Sequence, residues 1–210
     1  MSPSDPLATP TPVPWRTRAP GGGADYGRAY GRMIGSLRTF LDTLAAAAPD
    51  AGSAMELADG LDRWTAMLEP MAVPERERPY GRRNDVVGRG QVTSPALTVD
   101  AGDEMAIVGR VRFGDYFLGG NMAAHGGTIP LFFDELLGRL AQSGGRTPCR
   151  TAYLHTDFRS ITPIGPELTV RGWVVEEVGR KRVLRGTIHH GDVLCAEAEG
   201  LFVELKPGQP

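Results

Sequence analysis

A glycine-rich segment leading into a predicted helix carries the residue types best suited to chemistry. It reads GGNMAAHGG from Gly119 to Gly127, and a helix is predicted over residues 127–142 directly after it. A helix N-terminus presents unpaired backbone N–H groups and partial positive charge, which stabilise an oxygen that becomes negative during acyl transfer. Glycine at this point lets a substrate carbonyl approach the backbone closely. The segment therefore fits a site that polarises a carbonyl group.

Two carboxylates, Asp134 and Glu135, follow inside the same helix among apolar neighbours. A carboxylate in an apolar setting is costly unless it is paired or faces a cavity, and burial raises its pKa toward that of a useful base. Neighbouring helix residues differ by about 100° in direction, so only one of the two carboxylates can face a substrate. A purely structural interpretation stays open at this point. Gly126 and Gly127 would then form a tight turn, His125 would cap the helix, and Asp134 and Glu135 would belong to the polar stripe of a half-exposed helix.

The elements around these residues predict an antiparallel sheet wrapped around one buried helix. Apolar side chains cover much of the circumference of the helix, which predicts burial. On both sides of it the hydrophobic period is two, the pattern of strands. The predicted strands are 92–99, 105–113, 150–158, 167–175, 181–189 and 193–205. The fold class expected from this arrangement is α+β.

The N-terminal third has a different organisation. Residues 1–25 are rich in Pro and Gly and are predicted to be a disordered arm. Apolar residues at helical spacing predict one helix from Tyr26 to about Pro49, and a second helix that begins at a capping box of Ser53 and Glu56 and ends at Pro70. The chain is thus divided into an arm (1–25), a helical extension (26–70), a connector (71–91) and a main domain (92–206).

Composition excludes several classes of function. The net charge is −2 and the isoelectric point is about 6.1, so the chain lacks the basic footprint of a nucleic-acid-binding protein. No stretch approaches the ~20 apolar residues of a membrane span, and a cytoplasmic protein is expected. His189 and His190 lack a third ligand at metal-binding spacing, so neither a metal site nor a cofactor is expected.

Three motifs together resemble the hotdog-fold acyl-CoA thioesterases of the 4-hydroxybenzoyl-CoA thioesterase superfamily, in particular its phenylacetyl-CoA-type branch. The first is His125-Gly126-Gly127 followed by Asp134. The second is the run TAYLHTDF at 151–158 with PIG at 163–165, and the third is AEAEGLFV at 196–203. The resemblance covers residues 92–205 and leaves the helical extension without a counterpart.

The resemblance implies a hotdog fold, a homodimer or a dimer of dimers with sites that draw on both protomers, and hydrolysis of an acyl-CoA in lipid metabolism. Asp134, favoured over Glu135 by the spacing, would be the nucleophile or the base that activates water. The Gly126 amide would polarise the thioester carbonyl. Thr151, supplied by the partner subunit, would help to place the water.

Further residues are assigned to the site on weaker positional grounds. Asn121 would substitute for a polar residue of the family whose position is held here by Gly119. The remaining candidates for substrate binding are His125, Gly127, Glu135 and Arg159.

Two alternative functions stay open. One is a module that binds acyl-CoA or acyl-carrier protein without cleaving it. The other is a hotdog dehydratase, which the absence of a Pro beside His125 disfavours.

Overall fold

The computed structural model describes residues 23–209. The arm predicted to be disordered therefore lies outside the described residues except for its last three positions. Two of these already belong to the first helix, α1 (Ala24–Ala46), which begins slightly before the predicted start at Tyr26. No helix between Gly23 and Gln209 combines the length and the hydropathy of a membrane span.

The second helix, α2 (Ala51–Leu68), begins earlier than the sequence predicts. The capping box at Ser53 and Glu56 is wrong, because Asp50 is the N-cap and its carboxylate accepts a hydrogen bond from the Ser53 N–H at 2.7 Å. An Asp at this position satisfies an amide of the first turn, which leaves Ser53 inside the helix. The helix ends before Pro70 as predicted. No residue of α2 is buried.

Six strands form one antiparallel sheet, which confirms the predicted architecture. The strands are β1 (Thr98–Gly102), β2 (Ala106–Arg112), β5 (Cys149–Phe158), β6 (Glu167–Val178), β7 (Lys181–His190) and β8 (Val193–Glu204). Their order is β1-β2-β6-β7-β8-β5, so β5 occupies one edge. Two short strands, β3 (Leu118–Gly120) and β4 (Ala123–Ala124), pair separately and were not predicted.

The strand predicted over residues 92–99 is wrong, because only its last two residues belong to β1. The preceding segment is held in a turn, where the Gln91 side chain accepts from the Ser94 N–H at 3.0 Å. Arg38 of α1 donates to the carbonyls of Gln91 and Ser94. These carbonyls therefore accept hydrogen bonds from Arg38 and not from a neighbouring strand, and the segment packs along α1.

Helix α3 (Thr128–Ala141) packs against one face of the sheet, on strands β5 to β8. Gly172 of β6 and Gly186 of β7 lie opposite each other, and a Cβ atom at Gly186 would come within 3.2 Å of Leu137 and 3.3 Å of Phe133. The missing side chains therefore let the helix approach the strands closely. At its other end α3 is capped by buried Arg182, which donates to the Ala141 carbonyl at 3.0 Å.

Candidate active site

The loop before α3 is fixed by backbone hydrogen bonds that hold the helix N-terminus toward solvent. The His125 N–H donates to the Phe117 carbonyl at 2.7 Å, and the Ala124 N–H donates to the Thr162 carbonyl at 2.8 Å. Asn121 and Met122 form the turn between β3 and β4 with φ angles of 50° and 58°. Asn is among the residues that tolerate this left-handed conformation, which gives Asn121 a structural role in the turn.

Of the consecutive amides of Gly126, Gly127 and Thr128, only that of Gly126 has no hydrogen-bond partner among residues 23–209. The Gly127 N–H donates to Nδ1 of His125 at 3.0 Å, and the Thr128 N–H donates to the His125 carbonyl at 2.9 Å. Between residues 23 and 209 no acceptor lies within hydrogen-bonding distance of the Gly126 N–H, and Gly126 is exposed. His125 thus shapes the turn and occupies the neighbouring amide.

Asp134 and Thr151 form the second half of the candidate site. The Thr151 hydroxyl donates to Oδ1 of Asp134 at 2.7 Å, and both residues are exposed. This hydrogen bond lies within one chain, whereas the resemblance implies a Thr151 supplied by the partner subunit. Because β5 directly follows α3 in the chain and packs beside it, its first residues lie beside the helix.

Glu135 points away from Asp134 into a partly buried ion pair. Its Oε2 atom lies 2.6 Å from Nη2 of Arg89, and its side chain is only 8% exposed. The other oxygen, Oε1, is buried and has no hydrogen-bond partner within the described chain. The structure therefore separates the two adjacent carboxylates, one exposed beside a hydroxyl and the other held by a guanidinium.

A cavity of about 110 Å³ brings these groups together. Of the residues assigned to the site from the sequence, Asp134, Glu135 and Thr151 line it. The other lining residues, which sequence reasoning missed, are Arg89, Gly138, Arg139, Gln142, Cys149 and Phe202. Burial raises the pKa of the Cys149 thiol, which keeps it in the neutral form. The only sequence signal for Arg89 is its position between two glycines.

Arg159 lies at the opposite end of β5 and is already engaged by acidic side chains. Its Nε atom is 2.7 Å from Glu197, and Nη2 is 3.2 Å from Asp157. The hydrogen bond to Glu197 raises the pKa of the Arg159 guanidinium. A phosphate bound here would have to compete with two carboxylates.

The large apolar side chains on and before α3 lie in different parts of the structure. Phe113 and Phe132 are fully buried and pack edge to face in the core, with ring centroids 6.0 Å apart. Tyr116 and Phe117 line a separate cavity of about 120 Å³ beside α1, and Met122 is exposed. The cavity at Asp134 has Phe202 as its aromatic residue.

Comparison with known proteins shows what the chain is similar to. Residues 122–197 match the model of the thioesterase superfamily, a range that contains Gly126, Asp134 and Thr151. A crystal structure described as a thioesterase superfamily protein shares 26% identity, covers 88% of this chain and 97% of its own, and has a TM-score of 0.71. The chain therefore has a hotdog fold, and its central part is similar to the thioesterase superfamily. That structure spans the helical extension of this chain as well as the hotdog domain.

Two smaller solved structures each cover about half of this chain. A hypothetical thioesterase from Streptococcus pneumoniae with coenzyme A is 17% identical, covers 51% of this chain and 86% of its own, and has a TM-score of 0.48. The PaaI protein of the phenylacetic acid degradation operon of E. coli is 19% identical, with coverages of 51% and 82% and a TM-score of 0.48. No curated protein matches the sequence.

Proposed function

We propose that the protein hydrolyses acyl-CoA thioesters to a free acid and CoA. One observation carries the proposal: an exposed Asp134 is oriented by Thr151 at a cavity, and the same chain presents an open Gly126 amide at a helix N-terminus. A carboxylate and a fixed N–H donor are the groups that thioester hydrolysis requires. The resemblance to the phenylacetyl-CoA-type branch supports acyl-CoA as the substrate class.

In the proposed reaction the thioester carbonyl oxygen accepts a hydrogen bond from the Gly126 N–H. Asp134 then either attacks the carbonyl carbon or removes a proton from the water that attacks it. In the base route the C–S bond breaks, the proton taken from water passes to the sulfur, and the CoA thiol leaves while water supplies the hydroxyl of the acid. In the nucleophilic route the thiolate leaves first, and water then hydrolyses the acyl–Asp134 anhydride and supplies the proton of the thiol. Donation from Thr151 holds the carboxylate in one orientation, and the helix dipole stabilises the negative oxygen of the intermediate.

The two halves of the site are too far apart within one chain to act on one carbonyl. At 1.5 Å per residue, Thr128 and Asp134 are separated by about 9 Å along α3, and Gly126 lies beyond Thr128. Reacting groups must come within about 3–3.5 Å. We therefore pair Asp134 of one protomer with the Gly126 amide of its partner.

The open edge of the sheet supports this pairing. Strand β5 is ten residues long and pairs only with β8, so its outer edge is available to a second copy. Thr151 near its start contacts Asp134, and Phe158 at its end would lie 3.9 Å from a Cβ atom at Gly126. Antiparallel pairing of two β5 strands about a twofold axis places the start of each beside the end of the other. Asp134 and the partner's Gly126 amide are then neighbours.

The remaining residues have supporting roles in the proposal. Asn121 shapes the loop that carries Gly126, and His125 occupies the Gly127 amide and so leaves Gly126 as the donor. Arg159 would contact CoA phosphate only by exchanging a carboxylate partner for it.

The decisive experiment measures thiol release from short, long and aromatic acyl-CoA substrates by wild-type protein and two variants. Asp134→Asn keeps the size of the side chain and its acceptor oxygen but removes the charge, and should lower kcat by about 10⁴-fold, a loss typical of catalytic carboxylates. Asp192→Asn, in the exposed turn between β7 and β8, is the matched control and should retain wild-type turnover.

Full turnover in Asp134→Asn would reject the catalytic assignment. Saturable acyl-CoA binding by the wild-type protein without thiol release from any substrate would reject hydrolysis and favour the binding-module alternative. Size-exclusion elution and thermal unfolding of each variant establish that the folded state is unchanged.

A further inference from the structure

The ion pair between Arg89 and Glu135 connects the cavity at Asp134 to the N-terminal extension. Arg89 comes from the connector, 46 residues before its partner, and it lines the same cavity as Asp134 and Thr151. We propose that Arg89 is a positioning residue, which holds Glu135 in its ion pair and leaves Asp134 as the carboxylate that acts on the thioester. This proposal rests on the proposed hydrolase function.

The backbone around Arg89 has an unusual left-handed conformation, which fixes the direction of this side chain. Gly88, Arg89 and Gly90 have φ angles of 63°, 57° and 68°, three left-handed residues in succession. Glycine adopts this region freely, whereas a residue with a Cβ atom rarely does. A strained, non-glycine conformation beside a candidate site is the kind of feature that positions a functional group.

Helix α1 holds the chain on the C-terminal side of Arg89, and the connector itself holds it on the N-terminal side. The Tyr30 hydroxyl donates to the Gly90 carbonyl at 3.3 Å, and Arg38 donates to the carbonyls of Gln91 and Ser94. On the other side the Arg83 N–H donates to the Arg89 carbonyl at 3.2 Å. Arg83 is itself 1% exposed and forms an ion pair with Asp85 at 2.6 Å. The extension therefore fixes the part of the chain from which the connector's Arg89 guanidinium enters the cavity of the hotdog domain.

The chemistry of the two carboxylates explains why a guanidinium is needed there. The side chain of Glu135 is 8% exposed, and its Oε1 atom has no partner between residues 23 and 209. Removal of Arg89 would leave a carboxylate in a buried position without its ion-pair partner, which is strongly unfavourable. The side chain would then turn toward the open cavity, where it would compete with Asp134 for Thr151 and for the substrate.

The test is a double-substitution cycle on the full-length protein, with kcat and KM measured by thiol release. Arg89→Met should lower kcat about 10-fold or more while KM changes by less than about 3-fold, because catalysis and not CoA binding is disturbed. Glu135→Gln alone should have a small effect, since the amide oxygen still accepts from Arg89. In the double variant, kcat should return to within about 3-fold of Glu135→Gln, because a neutral amide requires no counter-charge.

Arg76→Met is the matched control, since Arg76 lies in the same connector, is 85% exposed and forms a surface ion pair with Glu77. If Arg89→Met does not fold, Arg89→Lys with and without Glu135→Gln tests the same coupling, because Lys keeps the charge but not the planar fork. Equal kcat in the Arg89 and Arg76 variants, or effects of Arg89 and Glu135 that simply multiply, overturns the proposal. Absence of thiol release by wild-type protein instead rejects the hydrolase function, and the role of Arg89 with it.

Discussion

Gly119 and Gly126 belong to the same region before α3, but the absence of a side chain has a different consequence at each position. A Cβ atom at Gly119 would lie 2.7 Å from the Cα atom of His125, so this glycine permits close packing of the backbone. A Cβ atom at Gly126 would meet only the ring of Phe158 at 3.9 Å, an ordinary contact. The space above Gly126 is therefore free for a ligand, which is consistent with the proposed approach of a thioester carbonyl.

Substitution of the two glycines should separate catalysis from stability. Gly126→Val should lower kcat/KM by about 100-fold, the usual cost of losing one donor to the carbonyl oxygen, because the side chain blocks access to the amide. Its thermal midpoint should stay near that of the wild type. Gly119→Ala should instead cost about 1–3 kcal/mol of unfolding free energy through overpacking. Thiol release and urea unfolding measure the two effects, and an active Gly126→Val would exclude the amide from catalysis.

At the level of residues, the sequence indicates the local part of the site and misses the distant part. Gly126 and Asp134 follow from one short segment, because a helix N-terminus and a helical repeat are local features. Arg89 meets Glu135 only through the folding of the connector against α1, and no periodic pattern marks such a contact. The contact between Thr151 and Asp134 of the same chain likewise depends on how β5 packs beside α3. The spacing of residues in the sequence does not reveal this packing.

Secondary-structure elements with a hydrophobic repeat were predicted well, whereas those defined by tertiary contacts were not. The strands from β5 to β8 and helix α3 lie within a few residues of their predicted bounds. The segment before β1 does not join the sheet, because Arg38, a residue far away in the sequence, donates hydrogen bonds to its carbonyls. The apolar stripes of α1 and α2 look alike in the sequence, yet α1 buries Ile34 and α2 buries nothing.

This difference between the two helices predicts different costs of truncation. Ile34 is 3% exposed, and Ile34→Ala should lower the unfolding free energy by about 2–5 kcal/mol. Trp64 is 58% exposed on α2, and Trp64→Ala should change it by less than about 0.5 kcal/mol. Urea unfolding of the two variants tests this. A loss in Trp64→Ala as large as that in Ile34→Ala would show that α2 packs against another copy of the chain.

At the scale of the whole molecule, the proposed site is divided between two copies of the chain. Each chain supplies one Asp134 with its Thr151 and one Gly126 amide, and the geometry of α3 keeps the two halves of a chain apart. A twofold dimer formed through β5 would contain two composite sites, because the interface of a twofold dimer is self-complementary. Loss of the dimer should then abolish turnover even where each chain remains folded.

Mixing two inactive variants tests this division directly. Asp134→Asn and Gly126→Val should each be inactive as homodimers, but in a hybrid dimer the intact Asp134 of one chain meets the intact Gly126 amide of the other. Equal amounts, unfolded and refolded together, give half hybrids with one working site each, so about a quarter of wild-type activity should return. Differently tagged chains allow the hybrid to be purified and assayed alone. A hybrid as inactive as its parents would place the whole site within a single chain and reject the composite site.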